Sequence, residues 1–218
     1  MSKVALAAMA GVVVVAWVAA ACSNGAPAPA GASGRAPLAV TVVLDVSGSM
    51  DGARIDNARG AVEAVVGRLE AGDHFSLVTF SDDGALVVAD GPVGPRRLQI
   101  VSQIHAIAAN GATNLGAGLD RGYREARAGS IPRDAVRVVL LLSDGHANAG
   151  DTDAASLTAR AASAFDDGIR TSSFGLGLDF DSALMTAIAE RGGGGYYFLA
   201  EASQIEPAFA DELESERP

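Results

Sequence analysis

Two kinds of apolar pattern alternate along this chain, and together they predict a succession of strands and helices. Residues 38–44 and 136–142 are apolar runs of strand length, as expected for strands buried on both faces of a sheet. Residues 75–80 and 171–176 read as further strands and 196–199 as the last. Residues 85–89 read as a strand returning antiparallel after the turn at Asp82-Asp83-Gly84. Elsewhere the apolar positions recur at helical spacing. Ile55, Ala58, Val62, Val65, Val66 and Leu69 mark one amphipathic helix, and Leu98, Val101, Ile104 and Ile107 predict another over 95–109. Helices are also expected over 115–127, over 154–167 up to Gly168, and over 181–190 with Asp181 as N-cap. A final helix should run to Leu213 from the capping-box pattern of Ser203 and Glu206. Strands and helices alternating at this spacing imply right-handed crossovers and a largely parallel sheet covered on both faces, an α/β architecture.

The first 37 residues break the pattern. Lys3 is a short basic start, residues 4–21 carry no charge, and Cys22 follows Val18-Ala19-Ala20-Ala21. That arrangement reads as a secretory signal over 1–22. A lone Cys after small residues resembles a bacterial lipobox, which implies lipidation of Cys22 and attachment to a bacterial membrane. The departure is Ala19, where such a motif usually has Leu. An ordinary secretory signal and an uncleaved signal anchor are the alternatives, since the run is near bilayer-spanning length. All three place the rest of the chain outside the cytoplasm, at the cell surface or in a periplasm. Residues 23–37 are Gly, Ala, Pro and Ser apart from Asn24, with Arg35 as the one charge, a flexible tether. The folded domain is expected over 38–218.

Composition narrows the function. The chain has 218 residues, about one domain, and is 49% hydrophobic and 19% charged, enough for a sizeable core. Its formal net charge is −10 and Lys3 is its one lysine, so the basic footprint that nucleic acid requires is missing. With one Cys there is no intrachain disulfide.

The chemistry gathers at strand ends. Asp45, Ser47 and Ser49 lie in V-V-L-D-V-S-G-S-M, Asp144 lies in V-V-L-L-L-S-D-G, and Thr113 lies in the Gly-containing turn G-A-T-N-L. In an open α/β sheet, ligands bind just beyond the carboxyl ends of the strands, where the strand order reverses. Carboxylates and hydroxyls without His or Cys suit a hard divalent cation. The alternative is that Asp45, Ser47 and Ser49 only cap the following helix, which leaves Thr113 and Asp144 unexplained.

These motifs, in this order and spread over residues 38–200, resemble the metal-ion-dependent adhesion site of von Willebrand factor type A domains. L-V-T-F-S, N-G-A-T-N-L-G-A-G-L and F-G-L-G-L-D-F-D are similar to secreted and membrane-anchored bacterial members. The resemblance implies a Rossmann-like three-layer α/β/α fold, a central first strand and one short antiparallel edge strand. It implies that Ser47, Ser49 and Thr113 bind Mg²⁺ directly, with Mn²⁺ or Ca²⁺ as alternatives, and that Asp45 and Asp144 act through water. A protein partner presenting Asp or Glu would then complete the ion's shell. It also implies a final helix able to shift, here held by Ile205 and Phe209. The long β-rich extension of many bacterial relatives is not expected here. The rival readings are a metal-stabilised scaffold in an envelope complex and a phosphatase-like enzyme. The second is poorly served: Ser47 stands where a second acid would be needed, and no lysine is available beyond Lys3.

Other positions carry weaker expectations. Asn114 and Asp51 could support the site or simply turn the chain, His146 could border it, and Met50 could touch a partner or pack inward. Asp82-Asp83 and the Asp179/Asp181 pair are possible Ca²⁺ ligands but read better as turn and cap residues. Phe174, Tyr196 and Phe198 are expected in the core.

Overall fold

The structure, a computed structural model, describes residues 36–178 and 180–216. The signal, the tether up to Arg35, Cys22 and Asp179 lie outside the described residues. Among the described residues no helix is long and apolar enough to cross a membrane.

The chain alternates as expected: β1 (Leu38–Asp45), α1 (Ala53–Arg68), β2 (His74–Phe80), β3 (Gly84–Val88), α2 (Arg97–His105), α3 (Leu115–Ala126), β4 (Val136–Ser143), α4 (Ala154–Asp166), β5 (Ile169–Leu176), α5 (Ser182–Arg191), β6 (Gly193–Leu199) and α6 (Ile205–Ser215). The six strands order as β3-β2-β1-β4-β5-β6. All pairings are parallel except β2 with β3, which is the antiparallel edge. Every residue of β1 and β2 is buried, which explains the near-continuous apolar run of β1, and the buried Ser76 of β2 shares a hydrogen bond with Thr41 at 2.8 Å.

Two apolar layers flank the sheet. On one side the stripes of α1, α2 and α6 pack on alternate residues of β1 and β4, such as Val40, Val42, Val138 and Leu140. On the other, α3, α4 and α5 cover Val43, Val139 and Leu141. The α1 stripe is the one the spacing predicts, with Ile55, Ala58, Val62, Val65 and Val66 buried. Full burial of each Val or Ile is worth roughly 1.5–3 kcal/mol. Helix α3 lies unusually close to the sheet. A Cβ on Gly118 would fall 2.6 Å from Phe80 and one on Gly122 would fall 2.3 Å from Val43. Glycine there lets the helix approach the sheet and brings Thr113, just before it, to the strand ends.

Several local expectations need correction. Helix α2 is shorter than predicted and packs through Ile100 and Ile104, while Leu98 points to solvent at 88% exposure. The predicted capping box of Ser203 and Glu206 does not form: Glu201 and Gln204 make the box around a 3-10 turn, Ala202–Gln204, and α6 follows from Ile205. Strand β6 begins at Gly193, because the glycines pair with β5 at Thr171 and approach it closely. Phe174 is buried, but Phe198 is 50% exposed and stacks on Phe180 at 6.0 Å.

Candidate metal centre

The parallel register of β1 and β4 pairs Leu44 with Leu142, so Asp45 and Ser143 end side by side and Asp144 follows. From here the chain departs in opposite directions, through α1 to β2 on one side of β1 and through α4 to β5 on the far side of β4. A crevice opens at such a reversal.

Asp45 forms the floor, fully buried. Its Oδ1 accepts the Ser47 N–H at 2.8 Å, and its Oδ2 accepts the Ser143 hydroxyl at 2.5 Å. A single 3-10 turn, Gly48–Met50, carries the chain outward. The Ser47 and Ser49 hydroxyls share a hydrogen bond of 3.1 Å, and Ser49 Oγ donates to Asp144 Oδ1 at 2.6 Å. Ser47 and Asp144 are buried while Ser49 is exposed, so the oxygens run from interior to mouth.

Thr113 arrives from a separate loop that is stitched down at several points. Gly48 N–H donates to Gly111 O at 3.0 Å, Asn110 N–H to Val46 O at 2.7 Å, and Asn114 N–H to Ser81 O at 2.7 Å. Asp82 Oδ1 accepts the Ala112 N–H at 2.9 Å. Gly111 supplies the left-handed backbone this turn needs, at φ 78°. Thr113 is buried, and its hydroxyl and that of Ser49 both border Gly145. A Cβ on Gly145 would stand 3.6 Å from Thr113 Oγ1 and 3.7 Å from Ser49 Oγ. The structure therefore brings all five predicted positions to one crevice.

The electrostatics of this crevice favour a cation. Burial pushes the Asp45 carboxyl above its ordinary value, against hydrogen bonds from Ser143 and Ser47, and the Asp144 charge adds to the push. A positive ion would offset both the desolvation and the like-charge repulsion. The donor set also fits a small hard ion: neighbouring oxygens of an Mg²⁺ octahedron lie about 2.9 Å apart, close to the 3.1 Å between Ser47 Oγ and Ser49 Oγ. Among the described residues no three His, Cys, Asp or Glu side chains gather as a metal cluster. The candidate set is two carboxylates and three hydroxyls.

The capping alternative fails locally, because neither the 3-10 turn nor α1 receives a side-chain cap bond. Met50 is fully buried and is a packing residue. Asn114 caps α3 by accepting the Ala117 N–H, and Asp181 caps α5 by accepting the Leu184 N–H. Asp51 and His146 are exposed in their turns.

Three residues at the crevice escaped the sequence reading. Ser143 holds Asp45, and Asn148 clamps Thr113 by accepting its N–H at 2.9 Å and donating its own N–H to Thr113 O at 3.1 Å. Arg54 Nη1 pairs with Asp144 Oδ2 at 2.6 Å and donates to Ser49 O at 3.0 Å. Ser143 had a usable signal, since it directly precedes Asp144 at the end of an apolar run. So did Arg54, a cation in the first turn of a helix, where the macrodipole disfavours it.

The model of the von Willebrand factor type A domain family matches residues 39–211, and the chain belongs to that family. It is 28% identical over 173 residues to the uncharacterized protein YfbK of Escherichia coli (strain K12), covering 78% of this chain and 30% of that protein. It thus spans less than a third of that relative's length. Among solved structures it resembles a von Willebrand factor type A protein from Catenulispora acidiphila, with a TM-score of 0.75 and 20% identity over 83% of this chain and 43% of the other. It also resembles proximal thread matrix protein 1 from the mussel byssus, solved with a zinc-occupied MIDAS motif. That match has a TM-score of 0.68 and 20% identity, and covers 83% of this chain and 46% of the other. At these identities the likeness to solved structures speaks for the fold.

Proposed function

We propose that this domain is a cell-envelope binding module that captures an acidic side chain of a protein partner through a divalent cation. Ser47, Ser49 and Thr113 hold the ion, Mg²⁺ first among the hard cations, and Asp45 and Asp144 support it. The observation that carries this reading is the convergence of oxygen donors from three separate segments at the β1–β4 crevice, with Ser49 exposed at its mouth. Hydroxyls are neutral ligands, so the bound ion keeps its electrophilicity and favours a carboxylate from outside. The role is binding rather than turnover. Asp45 and Asp144 are engaged with neighbouring side chains, and Ser47 stands where a phosphatase would need its acid. Cys22 would tether the domain to the membrane by lipid.

The test is capture of envelope-extract proteins by the immobilised chain in Mg²⁺ or in EDTA, beside Ser47→Ala and Asp45→Ala. Capture is expected in Mg²⁺ alone and by neither variant; equal capture in EDTA would contradict a metal-dependent site. One observation favours a second reading, a metal-stabilised scaffold. Hydrogen bonds already link Ser47, Ser49, Asp144 and Arg54 into a continuous chain. Capture that survives Ser47→Ala while stability falls would select that reading.

A further inference from the structure

Arg54 is the feature of the crevice that the proposed function leaves unused. It sits in the first turn of α1, where the helix dipole disfavours a cation, so local propensity does not account for it. Its side chain is 43% exposed, while that of Asp144, its partner, is fully buried. One nitrogen, Nη1, makes both of its hydrogen bonds, to Asp144 Oδ2 and to Ser49 O. Among the described residues Nη2 and Nε donate to nothing, and Nη2 lies 3.6 Å from where a Cβ on Gly177 would stand. The guanidinium therefore has one arm on the crevice and, among the described residues, no partner on its remaining donors, which have the fork geometry that grips a carboxylate by both oxygens.

Charge balance gives this placement a consequence. Asp45 and Asp144 alone would be neutralised by one divalent ion, and the crevice would then hold metal without a partner. Arg54 supplies one positive charge in advance. With the ion bound the crevice is left with an excess of one positive charge, which a single incoming carboxylate cancels.

We propose that Arg54 is the specificity-determining residue of this site: it weakens metal binding in the absence of a partner and couples metal uptake to the arrival of a carboxylate, which it anchors beside the ion. This rests on the metal-site reading above. Coupling free energies between two ligands commonly correspond to about 5–150-fold in affinity.

The experiment is calorimetric titration of the full chain with Mg²⁺, in acetate and in chloride at equal ionic strength. Arg54→Gln, Arg54→Lys and Ser47→Ala are run beside the native protein. Arg54 is half-exposed, so the Gln variant should fold, and a thermal melt checks this. The native protein should bind Mg²⁺ more tightly in acetate than in chloride. Arg54→Gln should bind about tenfold more tightly than native in chloride and gain little from acetate, and Arg54→Lys should keep most of the coupling. Unchanged or weaker Mg²⁺ binding by Arg54→Gln, with Ser47→Ala losing it, would overturn this inference and leave the site reading standing. Native-like binding by Ser47→Ala would remove the site reading and this inference together.

Discussion

Two regions of the domain bury carboxylates among hydroxyls, and they do opposite things with the same chemistry. At the β1–β4 crevice, Asp45 is held by the Ser143 hydroxyl and the Ser47 amide. Beneath α6, Glu212 is held by the hydroxyls of Ser172 on β5 and Tyr197 on β6. Both carboxylates are nearly inaccessible, at 0% and 3%. The difference is what lies next to them. Asp45 begins a file of oxygens that reaches solvent at Ser49, beside the Arg54 guanidinium. Glu212 is closed in by its own helix, with Phe209 edge-on to Phe174 at 4.5 Å and Tyr197 stacked on Phe174 at 4.8 Å. A sealed carboxylate held by two hydroxyls pins α6 to the sheet, whereas Asp45, joined through Ser47 and Ser49 to the mouth of a crevice, invites a cation.

Removing each carboxylate in turn should separate the two regions. Glu212→Ala should have the largest effect on stability, about 3 kcal/mol, because it empties a packed position and leaves two hydroxyls without their acceptor. Its Mg²⁺ affinity should be unchanged once folded, which urea unfolding and a metal titration would check together. A large loss of metal affinity would instead tie α6 to the crevice.

Tyr197→Phe is a finer probe, since it keeps the ring stack and removes one donor to Glu212, for a loss of about 1 kcal/mol. The Tyr197 phenol is pushed well up, first by burial and then by the Glu212 carboxylate. A tyrosine raised in the folded state contributes stability that is fully present below its unfolded value, about 10, and drains away as pH rises past it. The gap between native and Tyr197→Phe stability should therefore be full at pH 7 and narrow in alkali. A gap that is flat or widens across that range would contradict the network.

Asp45→Asn should have the smallest effect on stability, within about 1 kcal/mol, because the amide oxygen can still accept a hydrogen bond and burial no longer opposes a charge. Its metal affinity should nonetheless fall at least tenfold. Stability and function thus sort the two carboxylates in opposite orders.

The legibility of the two regions differs for the same physical reason. Asp45 and Asp144 follow apolar runs that could only be buried strands, so the sheet's own logic carries them to its carboxyl edge. Thr113 was readable because Gly111 and the approaching α3 mark a tight turn. Glu212 was not readable: it lies in an acidic stretch with Asp211 and Glu214 that has the look of a solvated face. Only the packing of α6 on β5 and β6 shows that one of these acids turns inward. Leu98 misled in the mirror sense, an apolar residue at helical spacing that the short α2 leaves in water. Arg54 shows that a local conflict with the helix dipole can be as informative as a motif.

Oxygen donors from three separate segments make the proposed cation site, and Thr113 is its sharpest probe because no other motif residue shares its loop. Thr113→Val keeps the shape and removes only the hydroxyl. Binding of Mn²⁺, followed by the loss of its free-ion paramagnetic signal, should be clear for the native chain and weakened at least tenfold in Thr113→Val, with the thermal melt little changed. Equal Mn²⁺ binding by the two proteins would mean that the loop of Thr113 does not reach the ion, and that the crevice is not the site described here.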